Sequence, residues 1–386
     1  MRIYLDHNAT TPLRPEVRER WLEVHAGRPG NPSSPHASGR RARDWVDRAR
    51  EEVARALGVE AGEILFTSGG TEANNLALAG VLAARGAPAA TAIVTPAAEH
   101  SSVLAPAAAL AARGHPWERV GVDAQGRPDV RALAAAARRH PGALVSVGAA
   151  NNEVGSVAPL GALPAALRAA GAAAIVHTDA VQALGRLPLA LREWEGDLAS
   201  FSTHKVGGPP GIGILWCRAG TPLAPLFHGG GQEHGRRAGT EDVAGIAAGA
   251  LAVVLAVAEQ GDYRVRVGAL ARTLWAEVSA AVPGARLLGP PIDAPERLPN
   301  TLCVLFPGED GRMLVTRLDL DGLEVSAGSA CASGSLEPSH VLLAMGLDAA
   351  AARAALRLSL GRDTTRAECT QAVEILRKAV CPSRAT

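Results

Sequence analysis

Lysine occurs at two positions in this 386-residue chain, Lys205 and Lys378, and arginine carries the rest of the basic charge. Arginine keeps its proton under all working conditions, so it serves as a cation and not as an amine nucleophile. A lysine set among neutral groups can lose its proton, form a Schiff base with an aldehyde and act as a general base. Lys205 has such a setting. It follows Ser202, Thr203 and His204 at the end of an apolar stretch, Leu198 to Phe201, and a Gly/Pro turn then leads into a second apolar stretch, Gly211 to Cys217. An amine at a strand end with hydroxyls just before it suits a cofactor that carries an aldehyde and a phosphate. The alternative is a surface lysine between two strands, in a chain whose alanine- and arginine-rich coding bias thins out lysine generally.

Other residues able to do chemistry stand in comparable places. Glu63 to Phe66 reads as a strand, followed by Thr67-Ser68-Gly69-Gly70-Thr71-Glu72 and a helix from about Thr71 to Ala84. A strand, a Ser/Gly/Thr turn and a helix N-terminus together make an anion site, with an ordinary helix capped by Thr71 as the alternative. His100 follows the strand Thr91 to Thr95 and is open to three readings: a satisfied loop residue, a general base, or a flat ring that stacks on another ring. Asn152 follows the strand Ala143 to Gly148, and Asp179 and Gln182 follow Ala174 to Thr178. Ligands in open α/β sheets bind beyond the carboxyl ends of the strands, so Thr71, His100, Asn152, Asp179 and Lys205 share one expected location. Residues 228–240 combine glycines with two arginines and two histidines. His228, Glu233 and His234 lack a third histidine at helical spacing, so no metal site is expected there. Ser326 to Ser335 is ten consecutive small side chains around Cys331, a stretch that cannot build a core and is expected to be a mobile loop. Cys217 and Cys303 lie inside apolar strand patterns and read as buried thiols. Arg357, between apolar strand neighbours, needs an anionic partner such as a carboxylate.

The elements that must position these residues follow from the periodicity. Between about residues 40 and 260 short apolar strands alternate with amphipathic helical stretches, the pattern of a mainly parallel α/β sheet. One helix is expected around 241–280. From 261 the texture changes, with strands at Asn300 to Phe306 and Leu323 to Val325 and helices near 309–319, 338–345 and 364–379, which suggests a smaller α+β domain. A net charge of +1 gives no electrostatic case for direct nucleic-acid or membrane binding. Val243 to Ala258 is too short for a membrane span and reads as a buried helix. The five scattered cysteines have no metal-type spacing and are odd in number, and the N-terminus lacks signal-peptide character; both point to a cytoplasmic protein with reduced thiols.

The constellation resembles the NifS/IscS-type cysteine desulfurases, pyridoxal-phosphate enzymes of the class V aminotransferase group. The resemblance runs through YLDHNATTP at 4–12, TSGGTEANNLA at 67–77, AEHSSV at 98–103, NNEVG at 151–155, HTDAVQ at 177–182, SFSTHKVGGPPGIG at 200–213, HGGGQEHGRRAGT at 228–240, SAGSACASGSLEPSHVL at 326–342 and LRLSLGR at 356–362. It implies the type I fold of pyridoxal-phosphate enzymes. That fold has a large domain over 15–260 with a mainly parallel seven-stranded sheet, and a small domain made of 1–14 and 261–386 that carries the cysteine loop. The resemblance also implies roles. Lys205 binds the cofactor covalently, Asp179 pairs with the pyridine nitrogen, His100 stacks on the ring and Gln182 bonds its oxygen. Gly70, Thr71, Ser202 and His204 hold the phosphate, and Thr240 reaches the phosphate of a partner subunit in a homodimer. Asn152 and Arg357 bind the carboxylate of L-cysteine, and Cys331 is the nucleophile that carries sulfur to an acceptor, an iron–sulfur scaffold or a thiolation protein. The long small-residue loop resembles the mobile-loop branch of the family. A transaminase or selenocysteine lyase without persulfide chemistry is the rival enzyme reading, and a sulfur carrier that kept only the fold is the non-enzyme one.

Overall fold

The structure, a computed structural model, describes residues 2–86, 91–328 and 337–380. Strand β1 (Ile3–Tyr4) leads into helices α1 (Pro15–Ala26) and α2 (Ala37–Leu57). Then come β2 (Ile64–Thr67), α3 (Gly70–Arg85), β3 (Ile93–Pro96), α4 (Ser101–Ala111), β4 (Trp117–Val120), α5 (Val130–Arg139), β5 (Ala143–Ser146), α6 (Leu163–Ala170), β6 (Ala174–Asp179), β7 (Leu198–Ser202) and β8 (Gly213–Cys217). These strands form a seven-stranded sheet in the order β2-β8-β7-β6-β5-β3-β4. All neighbours are parallel except β8, which runs antiparallel to both β2 and β7. The mainly parallel seven-stranded sheet is therefore as expected.

Helices cover both faces of this sheet, which is why its strands are continuously apolar and do not alternate with polar residues. Successive side chains still point to opposite faces. Ile64, Phe66, Phe201, Ile214 and Trp216 pack into one core with residues of α2 and of the later helix Val243–Ala258. Their neighbours Leu65, Leu198, Leu215 and Cys217 pack into another core with α3 and α4. His177 lies in the sheet interior, between the hydroxyls of Ser146 at 2.8 Å and Ser200 at 3.0 Å. Burial pushes its imidazole down to about 4, so a neutral ring ties β5, β6 and β7 together just before Asp179.

The expected single helix at 241–280 is two helices, α7 (Val243–Ala258) and α8 (Gln260–Ala281), which meet at 69°. The break falls at Glu259, whose carboxylate is gripped by the buried Arg14 through Nη1 at 3.0 and 2.9 Å. On one side of the break α7 packs into the core of the large sheet. On the other, α8 packs into a second core with β9 (Arg286–Leu288), β10 (Thr301–Leu305), α9 (Gly311–Leu320), β11 (Leu323–Glu324), β13 (Ala355–Ser359) and α12 (Arg366–Val380), while β12 (Ser326–Ala327) joins the same sheet and α10 (His340–Ala344) and α11 (Ala349–Arg353) pack into a smaller cluster with Val154 and Cys303. Strands β12-β13-β10-β9 form an antiparallel sheet, and β1 pairs with β11 in parallel. Among the described residues no single helix is long and apolar enough to cross a membrane.

A buried ion pair anchors the 228–240 segment at Glu233, and a second pair, Arg237 with Glu72 at 2.9 Å, holds it further on. Arg50 holds Glu233 with two bonds of 2.8 Å, and the Phe66 N–H donates to the same carboxylate at 2.9 Å. Glu233 and His234 both adopt positive φ, 48° and 57°, a strained path that this anchor maintains. Glu233→Ala would leave Arg50 as a lone cation in the interior and is expected to lower the unfolding free energy by about 3–5 kcal/mol. The measurement is the denaturant midpoint at unchanged m value. A loss below about 1 kcal/mol, the worth of a surface pair, would show that the pair does not hold the segment.

Candidate active site

One cavity of about 290 Å³ opens at the carboxyl ends of the large sheet. It is lined by residues that five strands deliver to the same place: Gly70 and Thr71 after β2, His100 after β3, Asn152 after β5, Asp179 and Gln182 at and after β6, and Ser202, His204 and Lys205 from β7 onward. Arg357 joins them from β13 of the second sheet, and Asn8 and Ala9 from the N-terminal arm. Of the expected site residues, Thr240 lies outside this cavity on the exposed surface of its own chain, and Cys331 falls outside the described residues.

At the anion end, α3 begins at Gly70, so Gly69 and not Thr71 takes the cap position. Gly69 sits at φ 155°, a conformation that glycine adopts without strain. A Cβ on Gly70 would lie 2.8 Å from Val181 Cγ2, so only hydrogen fits there. The first-turn amides of a helix have no intrahelical acceptor, and here they adjoin the hydroxyls of Thr71 and Ser202 and the His204 ring. Burial pushes His204 down to about 4, so its ring is neutral and Nδ1 lies 3.0 Å from Thr10 Oγ1.

At the opposite end stands Asp179. Its Oδ2 accepts from Asn74 Nδ2 at 2.7 Å and its Oδ1 from the Val181 N–H at 3.0 Å. The same Asn74 amide donates to Ser102 Oγ at 2.8 Å, and Ser102 Oγ lies 2.7 Å from His100 Nδ1. His100 caps α4, its Nδ1 accepting the Ser102 N–H at 3.1 Å, which places the ring proton on Nε2. Asp179, Asn74, Ser102 and His100 thus form one chain of donors and acceptors that fixes a carboxylate and an imidazole ring relative to each other.

Lys205 Nζ donates to the Asn8 carbonyl at 2.7 Å and the Ala9 carbonyl at 2.6 Å. Gln182 Nε2 also donates to Asn8 O, at 3.1 Å. Arg357, 1% exposed, finds the anionic partner that its setting calls for in Asp6, at 2.7 Å, and donates to the Asn152 carbonyl at 3.2 Å and Ser326 Oγ at 3.2 Å. Its Nε is buried with no partner among the described residues. Two buried carboxyls flank the site. Burial pushes Glu99 up to about 8 against the Gly148 N–H at 2.8 Å, and Glu153 up to about 7 beside the Ser339 hydroxyl at 2.5 Å.

Sequence reasoning missed Asp6, Asn8, Asn74 and Ser102. Asn8 acts largely through its backbone carbonyl, which no side-chain pattern marks. Asn74 lies one helical turn past the Ser/Gly/Thr turn, and that spacing from Gly70 was the one available signal. No group of three or more His, Cys, Asp or Glu residues among those described could hold a metal.

The aminotransferase class-V profile matches residues 3–371. This chain belongs to the class-V aminotransferase family. Within it, the chain is 45% identical over 376 residues to a cysteine desulfurase of Cereibacter sphaeroides, covering 97% of this chain and 95% of the relative. Among solved structures it is similar to a NifS-like protein, with a TM-score of 0.91 and 36% identity over 98% of this chain and 99% of that one. It is also similar to a structure described as SspA in complex with cysteine, with a TM-score of 0.78 and 30% identity over 93% of this chain and 98% of that one. Class-V aminotransferases depend on pyridoxal phosphate, and the donor set fits that group. An amine, a carboxylate, a flat imidazole and an anion cradle line a single cavity whose cradle would be filled by a Cβ at Gly70.

Asn74→Ala removes the donor that Asp179 and Ser102 share. Turnover is expected to fall about ten- to a hundredfold, the worth of a hydrogen bond to a charged group. Cofactor content should stay at the wild-type level, since the anion cradle is untouched. Unchanged turnover in a fully loaded variant would remove Asn74 from the machinery.

Proposed function

We propose that this cysteine desulfurase converts L-cysteine to L-alanine in the cavity at the carboxyl ends of the large sheet. The sulfur would pass to Cys331 as a persulfide and from there to an acceptor protein of iron–sulfur cluster assembly or of thiolation. One observation carries the reading: Lys205, Asp179, His100, Gln182 and the Gly70–Thr71 turn line a single cavity together with Asn152 and Arg357. Residues 15–260 then act as the cofactor-binding domain, and 1–14 with 261–386 as the smaller domain that brings Arg357 and Cys331.

When bound, pyridoxal phosphate supplies a protonated pyridine ring that accepts the electron pair released at the substrate Cα. Asp179 would hold the proton on the ring nitrogen, and the amide of Asn74 keeps that carboxylate pointed. The His100 ring would cover the cofactor face, and Gln182 would donate to its oxygen. Thr71, Ser202, His204 and the Gly70 turn would hold the phosphate, and Lys205 is the amine that would take the aldehyde and move the proton at the substrate Cα. The orphan N–H of a buried guanidinium calls for an acceptor, and the carboxylate of cysteine supplies one at Arg357, beside Asn152. Cys331, as a thiolate, would attack the substrate sulfur: the new S–S bond forms, the Cβ–S bond breaks with its electron pair left on Cβ, and a proton added at Cβ together with the proton that Lys205 returns to Cα completes alanine.

Cys217, Cys303 and Cys369 are buried and unbridged, and burial pushes them up to about 11, 12 and 11, so they make poor nucleophiles. Their reduced state also supports a cytoplasmic location. Thr240, exposed next to Glu241, is read as entering the site of a second copy across a two-fold axis, which makes the active unit a homodimer.

The decisive experiment treats the protein with cysteine in the absence of reductant and maps the added mass. One sulfur atom is expected on the Cys331 peptide. Cys331→Ser should keep the visible cofactor band and its response to cysteine while alanine and sulfide formation collapse. Sulfur on Cys217 or Cys303, or full activity in the serine variant, would overturn the assignment. Borohydride reduction should fix the cofactor on Lys205, and Lys205→Arg should abolish turnover because a guanidinium cannot replace the amine.

A further inference from the structure

Behind Lys205, on the side away from the cofactor cavity, lies a second small cavity of about 50 Å³. Its wall includes Arg186, which sits four residues past Gln182 and is 3% exposed. The guanidinium is satisfied by neutral acceptors. Nη1 donates to the Gln182 carbonyl at 3.2 Å and to Gln182 Oε1, and Nη2 donates to the Lys205 carbonyl at 3.4 Å and the His7 carbonyl at 3.5 Å. Tyr263, whose hydroxyl donates to the Leu360 carbonyl at 3.2 Å, lines the same cavity. With Oε1 of Gln182 taken by Arg186, the Nε2 end of that amide is the one presented to Asn8 and the cofactor cavity.

Every other arginine around Lys205 has a carboxylate. Arg14 pairs with Glu259 at 2.9 Å, Arg357 with Asp6 at 2.7 Å and Arg362 with Asp363 at 3.3 Å. Among the described residues Arg186 forms no ion pair, so its charge is unneutralised inside the protein. The remaining titratable groups that line the two cavities beside Lys205 do not cancel it. His7 and His204 are pushed down to about 4 by burial and are neutral, Glu99 is pushed up to about 8, and burial raises the Tyr263 phenol. Asp179 opposes Arg186, but its two oxygens are already engaged by Asn74 and the Val181 N–H.

The carbonyls of Asn8 and Ala9 take two N–H donors from Nζ. A neutral amine has two such donors and an ammonium has three, and carbonyl acceptors alone would favour the ammonium. A nearby like charge opposes that preference, and a cationic neighbour is one of the general ways a lysine becomes a nucleophile at neutral pH. We propose that Arg186 is a positioning residue for the reaction: its unpaired guanidinium, held against the Lys205 backbone and the Gln182 amide, keeps the Lys205 amine unprotonated and ready to take up the aldehyde. The inference rests on Lys205 being the cofactor lysine.

The chain offers an internal standard, because its other lysine, Lys378, is exposed on α12. Cofactor-free protein is acetylated with limiting acetic anhydride across a pH series, and the two lysine peptides are quantified by mass spectrometry. In the wild type, Lys205 is expected to reach half-maximal reactivity at a lower pH than Lys378. In Arg186→Gln the midpoint of Lys205 should rise by about one pH unit, a tenfold change in proton affinity, with Lys378 unmoved. Arg186→Lys, which keeps the charge, should restore the wild-type midpoint, and its new lysine falls in a separate tryptic peptide because Arg192 intervenes. A wild-type Lys205 titrating with or above Lys378 would overturn the proposal without any variant, and so would an unshifted midpoint in a folded Arg186→Gln protein. Failure of the functional reading looks different: borohydride would then fix the cofactor elsewhere than on Lys205, whatever the acetylation midpoints.

Discussion

The backbone carbonyl of Asn8 is the point on which the site depends. It accepts from Lys205 Nζ and from Gln182 Nε2, so the amine and the amide that face the cofactor are set by one main-chain oxygen. That oxygen is itself held in place by the Asn8 side chain, which donates to Thr301 Oγ1 at 2.8 Å and the Asn152 carbonyl at 3.1 Å and accepts from Asn300 at 3.0 Å. The Asn8 N–H donates to Ser359 Oγ at 2.9 Å. A buried residue with all these groups paired is rigid, because each alternative position would leave a donor or acceptor unsatisfied. The N-terminal arm thereby joins the second sheet to the carboxyl ends of the first.

Desolvation shapes the rest. His204, Glu99 and Glu153 are all driven toward their neutral forms by burial, and His177 below them behaves likewise. A cavity whose walls are mostly neutral leaves the few charges that line it, Asp179 and Arg357, poorly screened, and Arg186 stands behind it in the wall of the second cavity. Electrostatic effects between such groups are larger than between the same groups in water, which is why their placement decides what the cavity does.

Much of this was legible in the sequence, and the reason is geometric. A strand buried on both faces is a run of apolar residues, and its end is marked by the first polar cluster; Thr71, His100, Asn152, Asp179 and Lys205 all stand at such marks, and all but the lysine's exact partners followed from that. Arg357 was readable as a cation in need of an anion, yet Asp6, which supplies it, lies 351 positions away and carries no local sign. Asn74 hides inside a helix whose apolar pattern it interrupts by one residue. The break at Glu259 was missed because neither side of it loses helical character, and the bend comes from the Arg14 grip and from two cores pulling α7 and α8 in different directions. Thr240 could be placed in the sequence but not in the cavity, since its own chain keeps it at the surface.

The arm has a consequence for the order of events in a cell. Residues 4–9 leave the ribosome first, but Thr301, Glu324, Arg357 and Ser359, to which they bind, are among the last to be made. At about 5–20 residues per second, the arm waits roughly 20–70 s before it can dock. During that interval the large sheet can form while the Asn8 carbonyl that orients Lys205 is still unanchored. The lysine therefore acquires its final orientation only once the chain is nearly complete, and a nascent or truncated protein has its cofactor amine in place without the geometry to use it.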